Sequence, residues 1–187
     1  MLTFDFKPFP ELHSGRLRLR AIQEEDAAAY FAVRADARVN EFLDAQIYTE
    51  ISQSEDIIKK IKNGLEENTA IAWAICLKED PTLIGLIGFW RTIPEHHRAE
   101  IGYSLHPDHW NKGMMYEALG LILDYGFGTM KIHSVEANVN PDNIASKKVL
   151  EKHGFQLEAH FRENYYFEGK FLDSYIYSLL EKNRTKR

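Results

Sequence analysis

The chain has 187 residues, 44% hydrophobic and 27% charged, which is enough apolar mass to fill a core. Its formal net charge of −5 argues against sequence-independent binding to nucleic-acid backbones, which needs a basic surface. The one cysteine, Cys76, rules out an intrachain disulfide and a cysteine-built metal cluster, and its place in the apolar run Ile71 to Leu77 reads as a small buried hydrophobe.

From Met1 to Pro10 the chain carries Asp5, Lys7 and two prolines where a signal peptide would need an apolar stretch. Arg16-Leu17-Arg18-Leu19-Arg20 alternates with period two and predicts a strand with one wet face. Glu24 to Arg34 predicts a helix through Ala27, Ala28, Tyr30, Phe31 and Ala32. Ser52-x-x-Glu55 is a capping-box pattern, opening a helix with Ile57, Ile58 and Ile61 inward and a stop near Gly64. Ile71 to Leu77 and Leu83 to Trp90 are strand candidates around a turn at Asp80-Pro81. The second is the longest apolar stretch and is far too short to cross a bilayer. No membrane partner is therefore expected, a cytoplasmic location follows, and the sequon Asn183-Arg184-Thr185 reads as accidental.

Pro94-Glu95-His96-His97 reads as a loop near the substrate mouth, and Glu100 to Leu105 alternates again, with Ile101, Tyr103 and Leu105 on one face and Glu100 on the other. Gly113 opens a helical segment with Met115, Leu119, Ile122 and Leu123 along one side, ending near Gly126 or Gly128. Ile132 to Val139 predicts a strand, and Asn143 to His153 a helix with Asn143 as N-cap and Gly154 past its end. Two final strands follow, around Phe155 to Phe161 and Tyr175 to Leu179, joined through Gly169, and the tail after Glu181 is polar and reads as frayed. The order β-α-α-β-β-β-α-β-α-β-β, without repeats or a composition break, predicts one domain over 1–187 with a core of about 14–180. One mixed sheet covered by helices, an α/β (α+β) architecture, is the natural arrangement.

The stretch His109 to Ala118 lies between a strand and an amphipathic helix. A loop entering a helix there presents unpaired N–H groups and the positive end of the helix dipole, a combination that binds phosphate. Gly113 permits close backbone approach, and Lys112 can add a charge. A turn glycine is the plainer account of Gly113 alone, and neither a P-loop nor a dinucleotide-binding glycine pattern is present.

Four segments together resemble the GNAT N-acetyltransferases: Glu100-Ile101-Gly102-Tyr103-Ser104-Leu105, Trp110 to Ala118, Asn138 to Ser146, and Leu150-Glu151-Lys152-His153-Gly154-Phe155. Arg16 to Arg20 and Gly169-Lys170-Phe171-Leu172-Asp173 also fit, so the likeness spans roughly residues 14 to 180, and the RimJ/RimL-like branch, which includes enzymes acetylating ribosomal-protein N-termini, is the nearest. The family's cofactor loop commonly reads Gln/Arg-x-x-Gly-x-Gly/Ala; here Trp110 stands first, Met115 last, and only Gly113 is retained.

The resemblance implies a GNAT fold with a mostly antiparallel sheet and acetyl-CoA as acetyl donor, with no metal required. The pantetheine amides would pair with backbone at Tyr103, Ser104 and Leu105 as an added strand does. The pyrophosphate would sit on the amides of Trp110, Asn111, Lys112, Gly113, Met114, Met115 and Tyr116, and Asn143 would contact the pantetheine arm. The acceptor would be a primary amine, either a peptide N-terminus or a small amine, attacking directly in a ternary complex. Glu100 would remove the proton of the amine, and the alternative is a solvated strand-end glutamate. Many relatives carry a tyrosine seven residues after the helix asparagine to serve the leaving thiolate; here that place is Leu150. Ser146 matches the serine of the RimL-like branch, or else is a first-turn cap. Cys76 lies outside these segments, so no covalent enzyme intermediate is expected.

His106-x-x-His109 reads as loop histidine more readily than as a chelate. Trp90, Arg91, Tyr165 and Tyr166 either line an acceptor groove or belong to the core. A small-amine, polyamine or antibiotic acetyltransferase, a non-catalytic acyl-CoA sensor and a generic phosphate binder are the competing readings. Monomer and homodimer stay open.

Overall fold

The computed structural model describes residues 1–184. Its strands are β1 (Leu12–His13), β2 (Leu17–Arg20), β3 (Ile71–Leu77), β4 (Asp80–Ile93), β5 (Arg98–Leu105), β6 (Ser134–Val139), β7 (Gln156–Phe167) and β8 (Lys170–Leu180). The helices are α1 (Ala27–Ala35), α2 (Ala37–Asn40), α3 (Ser52–Glu66), α4 (Met114–Gly128) and α5 (Ile144–Lys152). The strands form a single sheet in the order β1-β2-β3-β4-β5-β6-β8-β7. Every neighbouring pair is antiparallel except β5 and β6, which are parallel and connected through α4.

Strand β3 shows why helices cover both faces. Alternation sends Ile71, Trp73 and Ile75 into the layer shared with α4, and Ala72, Ala74 and Cys76 into the layer shared with α1 and α3. Large side chains fill one side, and small ones let α1 and α3 come close on the other. Trp73 is fully buried and its indole N–H donates to the Pro10 carbonyl (2.6 Å), which satisfies its one polar atom in the core. Arg20 and Asp26 form a buried bidentate pair (2.7 Å twice), and Arg20 also donates to the carbonyls of Ala21 and Pro81.

Several local expectations change. The β3–β4 turn falls at residues 78–79, so Asp80 and Pro81 begin β4 instead of making the turn. Ser52 does not cap α3: the preceding Ile51 already has helical angles (φ −62°, ψ −31°), so Ser52 lies inside the first turn, and the Gln53 side chain accepts from the amides of Thr49 and Glu50. That helix runs two residues past Gly64, to Glu66. A 3₁₀ turn (Glu24–Asp26) precedes α1, and β1 and α2 are additional short elements. Residues Glu181–Asn183 form a 3₁₀ turn where fraying was expected, while Thr185 of the sequon lies outside the described residues. Among the described residues no helix is long and apolar enough to cross a membrane.

Candidate active site

Strands β5 and β6 pair only from Arg98↔Ser134 to Ile101↔Ala137, yet β5 continues to Leu105 and β6 to Val139. The sheet therefore splits at Gly102, with one lip still held by β4 and the other by β8. The His106 N–H donates to the Ile84 carbonyl (2.8 Å), which fixes the alternation along β5. By that alternation the amides of Tyr103 and Leu105 turn toward the split, and those of Ser104 turn toward β4. Of the three residues expected to pair with a ligand through backbone, Ser104 is thus committed elsewhere. The Leu105 carbonyl accepts from the Trp110 indole (2.7 Å), so Trp110 closes the end of the split with its side chain.

The loop before α4 is shaped by two left-handed residues, Asn111 (φ +58°) and Gly113 (φ +74°), the latter serving as N-cap. The backbone N–H groups of residues 111–115 donate to no acceptor among the described residues. Five consecutive amides at the start of a 15-residue helix form a cradle suited to a diphosphate. Arg16 braces the cradle from behind: its Nη1 donates to the Lys112 carbonyl (2.9 Å), and its Nε and Nη2 donate to Glu117 (2.8 and 2.6 Å). The Ser14 hydroxyl also donates to Glu117. Desolvation pushes Glu117 upward, but the bonds from Ser14 and Arg16 outweigh it and hold its carboxyl below the ordinary value. Met114 and Met115 pack on the core, and the Tyr116 ring stacks on His153 (4.3 Å), joining α4 to α5.

On the facing lip, the Asn143 side chain accepts from the Ser146 amide (3.0 Å) and caps α5 as expected. The Ser146 hydroxyl lies 2.7 Å from the Tyr103 hydroxyl of β5. This contact brings together residues 43 apart in sequence, across the mouth of the split. Burial pushes the Tyr103 phenol up to about 12, against a smaller downward pull from Ser146. Neutral at physiological pH, Tyr103 can donate to Ser146 and leave the serine proton free for a ligand. Leu150, where relatives carry tyrosine, is fully buried in the core.

Glu100 lies on the opposite face of β5 from Tyr103. Its Oε2 is 2.8 Å from Arg91 Nη2, which also lies 3.8 Å from Glu136; Arg98 pairs with Glu136 in turn. The connection from α2 to α3 is tied across this end of the sheet. Its Asp44 carboxylate accepts from Asn140 (3.2 Å), and its Asp44 carbonyl accepts from Tyr165 on β7 (3.1 Å). His97 sits at the opposite end of β5 from the split, where its carbonyl accepts from the His133 amide, so the His96-His97 pair is remote from the mouth. Among the described residues, no cluster of three His, Cys, Asp or Glu side chains is placed to hold a metal ion.

Beside this split parallel pair and amide cradle, the acetyltransferase (GNAT) domain model matches residues 16–156. The chain belongs to the GNAT acetyltransferase family. N-acetyltransferase p20 of Bacillus licheniformis is 36% identical over 171 residues, covering 91% of this chain and 96% of that one. The crystal structure of a GNAT-family acetyltransferase from Bacillus anthracis superposes with a TM-score of 0.82 at 27% identity, over 92% of this chain and 99% of its own. RimL, the ribosomal L7/L12 alpha-N-protein acetyltransferase solved with coenzyme A, shares the fold at a TM-score of 0.83 and 22% identity, over 91% and 98% of the two chains. The protein is an acetyl-CoA-dependent N-acetyltransferase.

Three contributors escaped the sequence reading. From sequence Tyr103 offers only its backbone, although alternation places its side chain on the face of Ile101 and Leu105, where it meets Ser146 of α5. The ion pair of Arg91 with Glu100 depends on a strand irregularity, and the brace of Arg16 on Glu117 spans 101 residues. Neither leaves a local signature.

Proposed function

We propose that this GNAT enzyme acetylates the α-amine of a peptide chain by direct attack on acetyl-CoA in a ternary complex. Acetyl-CoA supplies the activated acetyl group. Residues 111–115 hold its diphosphate by main-chain N–H groups, and the free edge at Tyr103 and Leu105 aligns its arm. Glu100 takes a proton from the incoming ammonium, so that nitrogen has a lone pair when it meets the thioester carbon. As the C–N bond forms and the C–S bond breaks, the excess proton left on nitrogen passes through the Ser146 hydroxyl to the departing sulfur, while Tyr103 stays neutral and donates a hydrogen bond to the serine oxygen. Holding both partners in one cleft contributes at least as much as either proton transfer.

The observation that carries this reading is the Tyr103–Ser146 contact at the mouth of the split, on the face opposite Glu100. A nucleophile arriving from the Glu100 side then meets the thioester while the sulfur departs toward Ser146. The acceptor reading rests on the aromatic groups exposed on that side, next to the α2–α3 connection. By register with Ser174 and Leu172 of β8, exposed Phe161 and Tyr165 of β7 stand on that face, a surface suited to a chain end. The fold shared with RimL, named for alpha-N-protein acetylation, points the same way.

The deciding experiment incubates the purified enzyme and acetyl-CoA with peptides bearing free N-termini and, separately, with polyamines, reading coenzyme A release and product mass. N-terminally acetylated peptide is the expected product. Acetylated polyamine with untouched peptide would replace the acceptor reading, and coenzyme A binding without release on any amine would leave a sensor.

A further inference from the structure

Strand β4 takes one irregular step as it passes β5. Register runs through Phe89↔Ile101 and resumes at Arg91↔Glu100, leaving Trp90 as the extra residue of a bulge. Its indole lies across Gly102: a methyl group on Gly102 would stand 2.2 Å from Nε1 and 2.4 Å from Cδ1 of that ring. Gly102 has no left-handed φ, so the backbone does not demand glycine there; the overlying ring does. Trp90 nonetheless remains 40% exposed. Alternation puts Glu100 beside Gly102 on the same face, at the level where β5 and β6 part. An aromatic face and a carboxylate therefore stand side by side at the split.

We infer that Trp90 and Glu100 form the subsite for the acceptor, a primary ammonium whose carbon chain lies along the indole. The inference rests on the reading of Glu100 given above and adds the residue that selects the substrate. The charged groups facing Glu100 are Arg91 from β4, Glu136 from β6, and Arg98, which is held by Glu136. An arriving ammonium takes the place of Arg91 at Glu100, and Arg91 has Glu136, 3.8 Å away, to move onto. The bulge thus supplies both the platform and the counter-ion that keeps the site neutral when empty. A cation above an indole gains from the ring quadrupole, and its methylenes gain from burial against the ring.

The test is steady-state kinetics, each substrate varied at saturation of the other, with primary alkylamines of increasing length and with a peptide bearing a free N-terminus. Trp90→Ala is expected to raise the acceptor KM about tenfold, by more for longer chains, with the acetyl-CoA KM changed by less than about twofold. Trp90→Phe should recover most of the loss. Gly102→Ala keeps the indole but displaces it, and should raise the acceptor KM in the same way. Unchanged acceptor KM in Trp90→Ala, or an equal rise for both substrates, overturns the subsite while leaving the transferase reading intact. A loss confined to peptides, or confined to alkylamines, identifies which source of ammonium the platform serves. A wild-type enzyme that acetylates no amine overturns the functional reading, and this subsite with it.

Discussion

The two sides of the split are built from different materials. The proposed coenzyme side is made of backbone: five amides unpaired among the described residues, two left-handed residues and a free strand edge, with side chains such as Arg16 acting from behind. The proposed acceptor side is made of side chains: Glu100 and Arg91 in an ion pair, with Trp90 lying on Gly102. A cofactor common to a whole family can be held by groups every residue possesses. A particular amine needs groups that only particular residues carry. On the proposed reading, sequence drift in the cradle is tolerable, whereas drift on the other face changes which amine is acetylated.

Substitutions can break that contrast, and their expected effects fall in a definite order. Glu100→Gln should lower kcat by roughly 10²–10⁴-fold while acetyl-CoA affinity stays nearly constant. Unchanged turnover across pH removes Glu100 from proton transfer. Ser146→Ala should cost about 10–100-fold in kcat, the scale of a hydrogen bond to a charged leaving group, and Tyr103→Phe somewhat less. A serine acting only as a helix residue would leave kcat untouched in single-turnover measurements. Gly113→Val should raise the acetyl-CoA KM about tenfold, because a β-branched residue at φ +74° costs about 1–2 kcal/mol. Lys112→Ala should move that KM far less, and the reverse ranking of these two would show that the phosphates are held by charge instead of by amides.

The smallest effect concerns the brace. Glu117 is held below its ordinary value of 4.5, so its contribution is fully present above that pH and is lost as pH falls through the folded value. Stabilisation of the enzyme by acetyl-CoA, read as a melting shift, should therefore weaken on acidification below about pH 4.5, and Glu117→Gln should flatten that dependence.

Most of the architecture was legible because periodicity reports burial directly. The alternation in β3 and β5, the glycines at 113, 154 and 169 and the Asn143 cap all act within a few residues of themselves. What stayed hidden depends on register between distant strands. No local pattern shows that Trp90 is skipped in pairing with β5, that Tyr103 meets Ser146, or that Arg16 reaches Glu117. The failed capping box at Ser52 is a related case: the motif was present, but the chain had already become helical at Ile51, so the hydroxyl arrived a residue too late.

The placement of the three tryptophans makes the enzyme its own fluorimeter. Trp73 is sealed in the interior and would give a constant background, Trp110 stands at the proposed coenzyme end, and Trp90 at the proposed acceptor end. Each of the two responsive indoles is partly exposed, so its emission should shift as its own ligand excludes water. Single Trp→Phe variants would then let the order of substrate arrival be timed optically, without attaching a dye to either partner.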